Sequence, residues 1–209
     1  MFKSLAVAAL FFLGINTMEA QLSFGIKAGL SLANINYDGE EALDTKILPT
    51  FHAGPIIEFG ITDNLGIGSG LLLSGKGFKI EEEILGEKFT ATSNPLYLQL
   101  PLTLQYNNNG FFAAVGPYVA FGIAGNSKSE GLGESDTEAI DFGNKEEDDY
   151  SPLDFGAGLE LGYGFGPVRI SASYNLGFSN IIPKDYADFS GDKATHSVIG
   201  ISAAYMFVR

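Results

Sequence analysis

Apolar residues occupy every second position from Leu96 to Leu104, within the stretch NPLYLQLPLTLQY that runs from Asn94 to Tyr106. Leu96, Leu98, Leu100, Leu102 and Leu104 alternate with Tyr97, Gln99, Pro101, Thr103 and Gln105. A period of two with two chemically distinct faces specifies a β-strand, and about ten residues is the length a tilted strand needs to cross a bilayer. The alternation recurs along the chain. Leu22, Phe24, Ile26, Ala28, Leu30 and Leu32 form one apolar face, and Phe51, Ala53, Pro55, Ile57 and Phe59 the next. Leu65, Ile67, Ser69, Leu71 and Leu73 begin a third strand, whose parity blurs between Gly75 and Phe78, where a bulge is expected. Beyond the Leu96 strand come Phe111 to Ile123, Leu153 to Phe165, Val168 to Phe178 and Ile199 to Phe207, each with the same spacing.

These are eight strands, and their connections alternate in length. Thr62–Asn64, Asn107–Gly110 and Gly166–Pro167 are tight, rich in residues that favour turns or tolerate positive φ. Residues 34–48, 81–92, 125–151 and 183–195 are long and polar. Short turns at one end and long loops at the other predict an all-β, eight-stranded, antiparallel up-and-down transmembrane β-barrel. A soluble barrel or sandwich would also give this count and alternation. It would charge its outside, however, whereas the second face here is mostly Gly, Ser and Ala, sized for a narrow interior. With the short turns on the periplasmic side, Phe24, Phe59, Tyr106, Phe111, Tyr163, Phe165, Tyr205 and Phe207 gather outward at one end as an aromatic girdle.

Targeting fits this picture. Lys3, the apolar run from Leu5 to Ile15 and the small residue Ala20 predict a signal peptide over residues 1–20, leaving 21–209 as one barrel domain. The net charge is −13, which excludes a nucleic-acid partner. Without cysteine there is no disulfide, thiolate metal site or thiol nucleophile. The expected surroundings are outer-membrane lipid around a monomer, with envelope or secretion-machinery proteins as partners.

Candidate chemistry is sparse. Lys27, Glu58, Asp154, Glu160 and Arg169 have inward parity, and buried charges need partners. Hairpin register suggests the pairs Lys27 with Glu58 and Glu160 with Arg169, which would plug the lumen. Gly70 to Gly77 matches the front of a phosphate-binding loop, but no Ser or Thr follows Lys76 and no helix follows the loop, so close packing is the expected role. His52 and His196, near Ser31, Ser197 and Asp38, would be needed for any acyl-transfer site at the outer rim. A strand separates the two histidines and no nucleophile motif surrounds the serines, so ordinary rim histidines are expected. In residues 125–151 acidic side chains outnumber lysines nine to two, with no calcium-loop spacing, which predicts a solvated, mobile loop. No catalytic, cofactor or metal site is predicted, and the protein is not expected to be an enzyme.

The runs YLQLPLTLQY, AVGPYVAFGI, SPLDFGAGLELGYGF and YNLGFSNII resemble the PorT-type outer-membrane β-barrel family over nearly all of the mature chain. The resemblance implies an eight-stranded outer-membrane barrel of a Gram-negative bacterium, non-enzymatic, in a family with one branch that serves type IX secretion. Gln99, where many relatives are acidic, and Val208-Arg209 beyond the terminal Phe207 depart from the pattern. Closure of the barrel also gives meaning to Pro101. Lacking an N–H for the ladder, it should interrupt pairing almost opposite Pro117.

Overall fold

A computed structural model describes residues 22–39, 44–84, 87–131 and 133–208. The expected signal peptide lies outside the described residues. Twelve strands and one short helix follow in order: β1 (Leu22–Asp38), β2 (Thr45–Lys46), β3 (Leu48–Gly60), β4 (Leu65–Gly70), β5 (Leu72–Gly75), β6 (Phe78–Ile84), β7 (Glu87–Asn108), β8 (Phe111–Gly131), β9 (Glu134–Ala139), β10 (Leu153–Phe165), β11 (Val168–Gly177), α1 (Lys184–Ser190) and β12 (Lys193–Val208). The wall is an eight-stave antiparallel ring: β1, β3, β4–β5, β7, β8, β10, β11 and β12, closed where β12 pairs with β1. Closure satisfies every stave on both sides, as a hydrocarbon environment requires.

Tight turns form where small or turn-prone residues accept positive φ. Asn109 and Gly110, at φ 49° and 87°, join β7 to β8, and Gly166, at φ 65°, joins β10 to β11. Along the staves the parity read from the sequence holds. In β1 Leu22, Phe24, Ile26, Leu30 and Leu32 are exposed, while Ser23, Ser31 and Ala33 are buried. Phe121, Leu159, Ile170 and Ile201 on other staves are likewise exposed, so a continuous apolar band encircles the ring.

The third stave is broken twice. Leu71 interrupts it between β4 and β5, where its N–H donates to the Pro55 carbonyl. A second break at Lys76–Gly77 separates β5 from β6. Gly77 has φ 128°, and a Cβ there would lie 2.0 Å from the Ser93 carbonyl oxygen, so only glycine fits this corner. The bulge expected near Gly75 is instead a break without a register shift: Gly75↔Leu96 and Phe78↔Ser93 keep one register, and Lys76 points into the barrel on the same side as Leu72 and Ser74. Pro101 faces Tyr118, one residue from Pro117, and the β7–β8 ladder has a gap between Pro101↔Tyr118 and Leu104↔Val115.

β7 and β8, of 22 and 21 residues, are about twice as long as a membrane crossing needs. Their outer halves leave the ring and join β6, β2 and β9 in a sheet of order β2-β6-β7-β8-β9 beyond the long-loop end. There the inside becomes apolar: Ile35, Ile140, Tyr150, Ile181 and Ala194 form a buried cluster with Tyr37, Phe78, Phe142 and Ile182 packed against it.

Candidate functional site: a plugged lumen under an outer cap

Small inward residues leave a narrow lumen, and the long charged side chains cross it. Lys27 of β1 donates to both carboxylate oxygens of Glu160 of β10, at 2.6 Å each, and Ser171 donates to the same carboxylate at 2.6 Å. Arg169 of β11 pairs with Glu58 of β3 and lies 5.3 Å from the centre of the Phe112 ring. The four residues of the expected pairs all point inward, with partners exchanged from those the hairpins suggested. Within the hairpins Lys27 faces Gly54 and Glu160 faces Ser173, so neither expected pair is in register. Long side chains meet across the barrel instead, because its interior is only as wide as two of them.

His52 is held between two serines, its Nδ1 2.8 Å from Ser31 Oγ and its Nε2 2.7 Å from Ser202 Oγ. Ser202 belongs to β12, on the far side of β1. The imidazole crosses β1 at Gly29, which faces both His52 and Ser202. A Cβ at Gly29 would sit 2.6 Å from the His52 ring, so the absent side chain is the passage. The cavity these groups line has a volume of about 90 Å³. It has room for a few water molecules and none for an acyl chain, and among the described residues both ring nitrogens of His52 meet serine hydroxyls rather than a carboxylate that would orient it as a general base.

Higher in the barrel, Lys76 Nζ lies 2.6 Å from Asp154 Oδ2, with the two side chains 1 % and 0 % exposed. Ser179 Oγ donates to Asp154 Oδ1 at 2.7 Å, and the Tyr118 hydroxyl to Oδ2 at 3.3 Å. The ammonium sits 4.3 Å from the Tyr118 ring centre and 5.3 Å from that of Tyr97. Sequence reasoning missed this pair, treating Lys76 as part of a misleading phosphate-loop match. The available signal was Asp154, an inward carboxylate left over once the other four charges were matched.

The acidic third loop closes the outer mouth. Its hairpin, β8–β9, leads into residues 140–150, which fold back over the barrel and bury Ile140 and Tyr150. Phe142 packs edge-on against Tyr97, with ring centroids 5.5 Å apart, and Tyr150 stacks on His196 at 6.4 Å. The expectation of a solvated, mobile loop is corrected here: its carboxylates are exposed except for the half-buried Asp148, but Ile140, Phe142 and Tyr150 anchor the segment. Tyr150 donates to Ser93 Oγ at 2.8 Å. Burial pushes its phenol up to about 12, the hydrogen bond to Ser93 opposing and nearby Asp149 adding to the shift. His196 is fully buried with neither ring nitrogen hydrogen-bonded, so it serves the cap as an aromatic plate rather than as a rim histidine. Ser197 lies at 3.2 Å from the Tyr174 hydroxyl, and Asp38 ends β1 opposite Lys193, so these residues do not assemble with the histidines into an acyl-transfer site.

All eight aromatics expected at the turn end are exposed on the outer surface. Tyr163 faces Phe111, Leu22 faces Phe59, and the rings of Tyr205 and Phe207 meet at 5.5 Å.

Residues 16–183 match the outer membrane protein beta-barrel domain. The chain belongs to that family. It is thus an outer-membrane protein with the family's barrel fold; membership in the PorT branch is a finer assignment. Among solved structures it is similar to Ail of Yersinia pestis, crystallised with the heparin analogue sucrose octasulfate, at 17 % identity over 91 % of this chain and 100 % of that one, TM-score 0.47. Neisserial surface protein A is 9 % identical over 87 % and 96 % of the two chains, TM-score 0.45. OprG of Pseudomonas aeruginosa is 16 % identical over 91 % and 98 %, TM-score 0.40. No curated protein matches the sequence.

Proposed function

We propose that the protein is a closed, non-enzymatic outer-membrane barrel whose working surface is its extracellular assembly, used for binding or for envelope integrity. The observation that carries this reading is closure at successive levels. Lys27–Glu160 and Glu58–Arg169 span the lumen, Lys76–Asp154 lies near its mouth, and the cluster of Ile35, Ile140, Tyr150 and Ile181 covers it. A barrel that conducts needs an open, wetted path, and a hydrolase needs a substrate cavity; the packing favours neither. The apolar outer band supports a monomer in outer-membrane lipid, with Phe24, Phe59, Tyr106, Phe111, Tyr163, Phe165, Tyr205 and Phe207 at the periplasmic interface. Planar-bilayer recording tests the reading: the folded protein is expected to add no stepwise conductance, and reproducible channel steps would overturn it. The PorT-like runs support a second reading, an accessory role in type IX secretion. It predicts that a deletion strain accumulates exported cargo in its periplasm.

A further inference from the structure

Beyond the membrane, strand parity divides the charges of the outer sheet unequally. On its outward face Lys79 and Lys88 both pair with Glu81, the latter at 3.2 Å, and Lys128 pairs with Glu130 at 2.6 Å. That face neutralises itself. The opposite face is cupped, with a cavity of about 960 Å³. Its floor is Ile80 and Phe89, both half-buried, with Ala91; the pairings Ile80↔Ala91, Glu82↔Phe89 and Ala91↔Ser129 place them side by side. The Phe89 ring lies over Gly131, where a Cβ would be 2.4 Å away. Glu82 rises at one margin and Glu134 and Asp136 at the other. Among the described residues none of these three carboxylates makes an ion pair; Asp136 only accepts the N–H of Thr137. Among the described residues no lysine or arginine lines the cup, and Glu130, which also borders it, is matched by Lys128.

An apolar floor between unmatched carboxylates specifies its ligand by complementarity. The volume is that of a ligand groove. Among the described residues no three acidic or histidine side chains converge as a metal site would require, since the carboxylates stand along the margins. An anionic lipid surface would be repelled. We propose that this cup is a docking groove for a cationic amphipathic peptide segment, whose apolar side covers Ile80 and Phe89 while its Lys or Arg residues meet Glu82, Glu134 and Asp136. The inference rests on the reading of the extracellular assembly as a binding surface, and names the class of partner it takes.

The test uses the full-length protein in zwitterionic nanodiscs and a fluorescent synthetic peptide with leucines on one helical side and lysines on the other. Saturable binding is expected, weakened by salt. A Glu82→Gln/Glu134→Gln/Asp136→Asn variant should bind roughly tenfold more weakly, three lost charge contacts at modest strength each. A Glu81→Gln variant, on the other face and outside the lining of the cup, should bind within about twofold of the parent. A peptide of the same composition with its pattern scrambled should also bind less tightly. Equal losses in both variants, equal binding of the scrambled peptide, or displacement by calcium ions alone would each overturn the groove. Conductance measured on the same preparation separates the two claims. A closed barrel that ignores the peptide refutes only the groove, whereas channel steps refute the reading beneath it.

Discussion

The Lys76–Asp154 pair offers a sharp measurement, because the two partners are not equally dependent on each other. Removing one member of a buried ion pair costs about 3–5 kcal/mol, since the other charge stays desolvated. In Lys76→Met, Asp154 keeps the Ser179 hydroxyl at 2.7 Å and the Tyr118 hydroxyl at 3.3 Å as donors, which places the cost near the bottom of that range, about 3 kcal/mol. In Asp154→Leu, Lys76 keeps only the faces of Tyr118 and Tyr97, and both hydroxyl donors lose their acceptor, so about 4 kcal/mol or more is expected. The double variant removes both charges and leaves only the hydroxyls unsatisfied, at about 2 kcal/mol. A coupling energy on the order of 5 kcal/mol follows, large but within the range for close charge pairs. Urea unfolding in phospholipid vesicles, followed by the heat-dependent gel shift and far-UV circular dichroism, measures all four proteins. Because Ser179 ties Asp154 to the segment that packs on the cap, the single variants should also become protease-sensitive within residues 140–150. Additive costs, with a coupling below about 1 kcal/mol, would show that the pair behaves as a solvated surface contact and would refute the reasoning.

Arg169→Leu leaves Glu58 unpaired and Glu160 still bound to Lys27, so a double-mutant cycle should couple Arg169 to Glu58 by more than 1 kcal/mol as an order of magnitude and barely to Glu160. The same unfolding assay reads it, and coupling to Glu160 would restore the hairpin pairing. Tyr150 gives a pH dependence. Its folded pKa of about 12 lies above the ordinary value of 10.0, so the folded cap holds the proton more tightly than the unfolded chain. Its stabilising effect is complete below about pH 10 and is lost as pH rises towards 12, by up to about 3 kcal/mol, tracked by tyrosinate absorbance with Tyr150→Phe as control. Gly29→Val would set its Cβ 2.2 Å from the Ile201 carbonyl oxygen as well as 2.6 Å from the His52 ring, so it should cost about 3 kcal/mol or more by overpacking, of which replacing His52 by alanine restores only the part due to the imidazole.

Strand existence and facing were legible because a period of two needs no tertiary information. From Leu22 to Leu32 the outward residues follow from alternation alone. Register was less legible. The partners of Lys27 and Glu160 depend on how each hairpin closes and on the width of the closed cylinder, and neither is written in the local sequence. Lys76 was hidden for a different reason: it keeps the inward side of Leu72 and Ser74, but from Gly75 to Phe78 the apolar and polar residues no longer alternate, so its facing went unread. The third loop misled through its composition. Its carboxylates describe its surface, while Ile140, Phe142 and Tyr150, isolated apolar residues among them, describe its anchorage.

That loop also shows how one strand serves two solvents. In β1 the apolar side faces out through Leu32; three residues later Ile35 faces in, while Asn36 faces water. The backbone alternation continues unchanged, so it is the side-chain pattern that inverts at the membrane boundary. β7 makes the same crossing with Tyr97 inward beneath Phe142, on the side of Pro95 and Gln99, and the register shift between Leu96 and Tyr97 leaves the extra residue, Ile123, on β8. Below the boundary the lipid satisfies the apolar side and charge pairs fill the lumen. Above it there is no lipid, so a core must be built inside the barrel and the cap supplies it. Closure of the mouth is thus a consequence of extending the staves into water, where their inner side needs a core that the lipid no longer makes unnecessary.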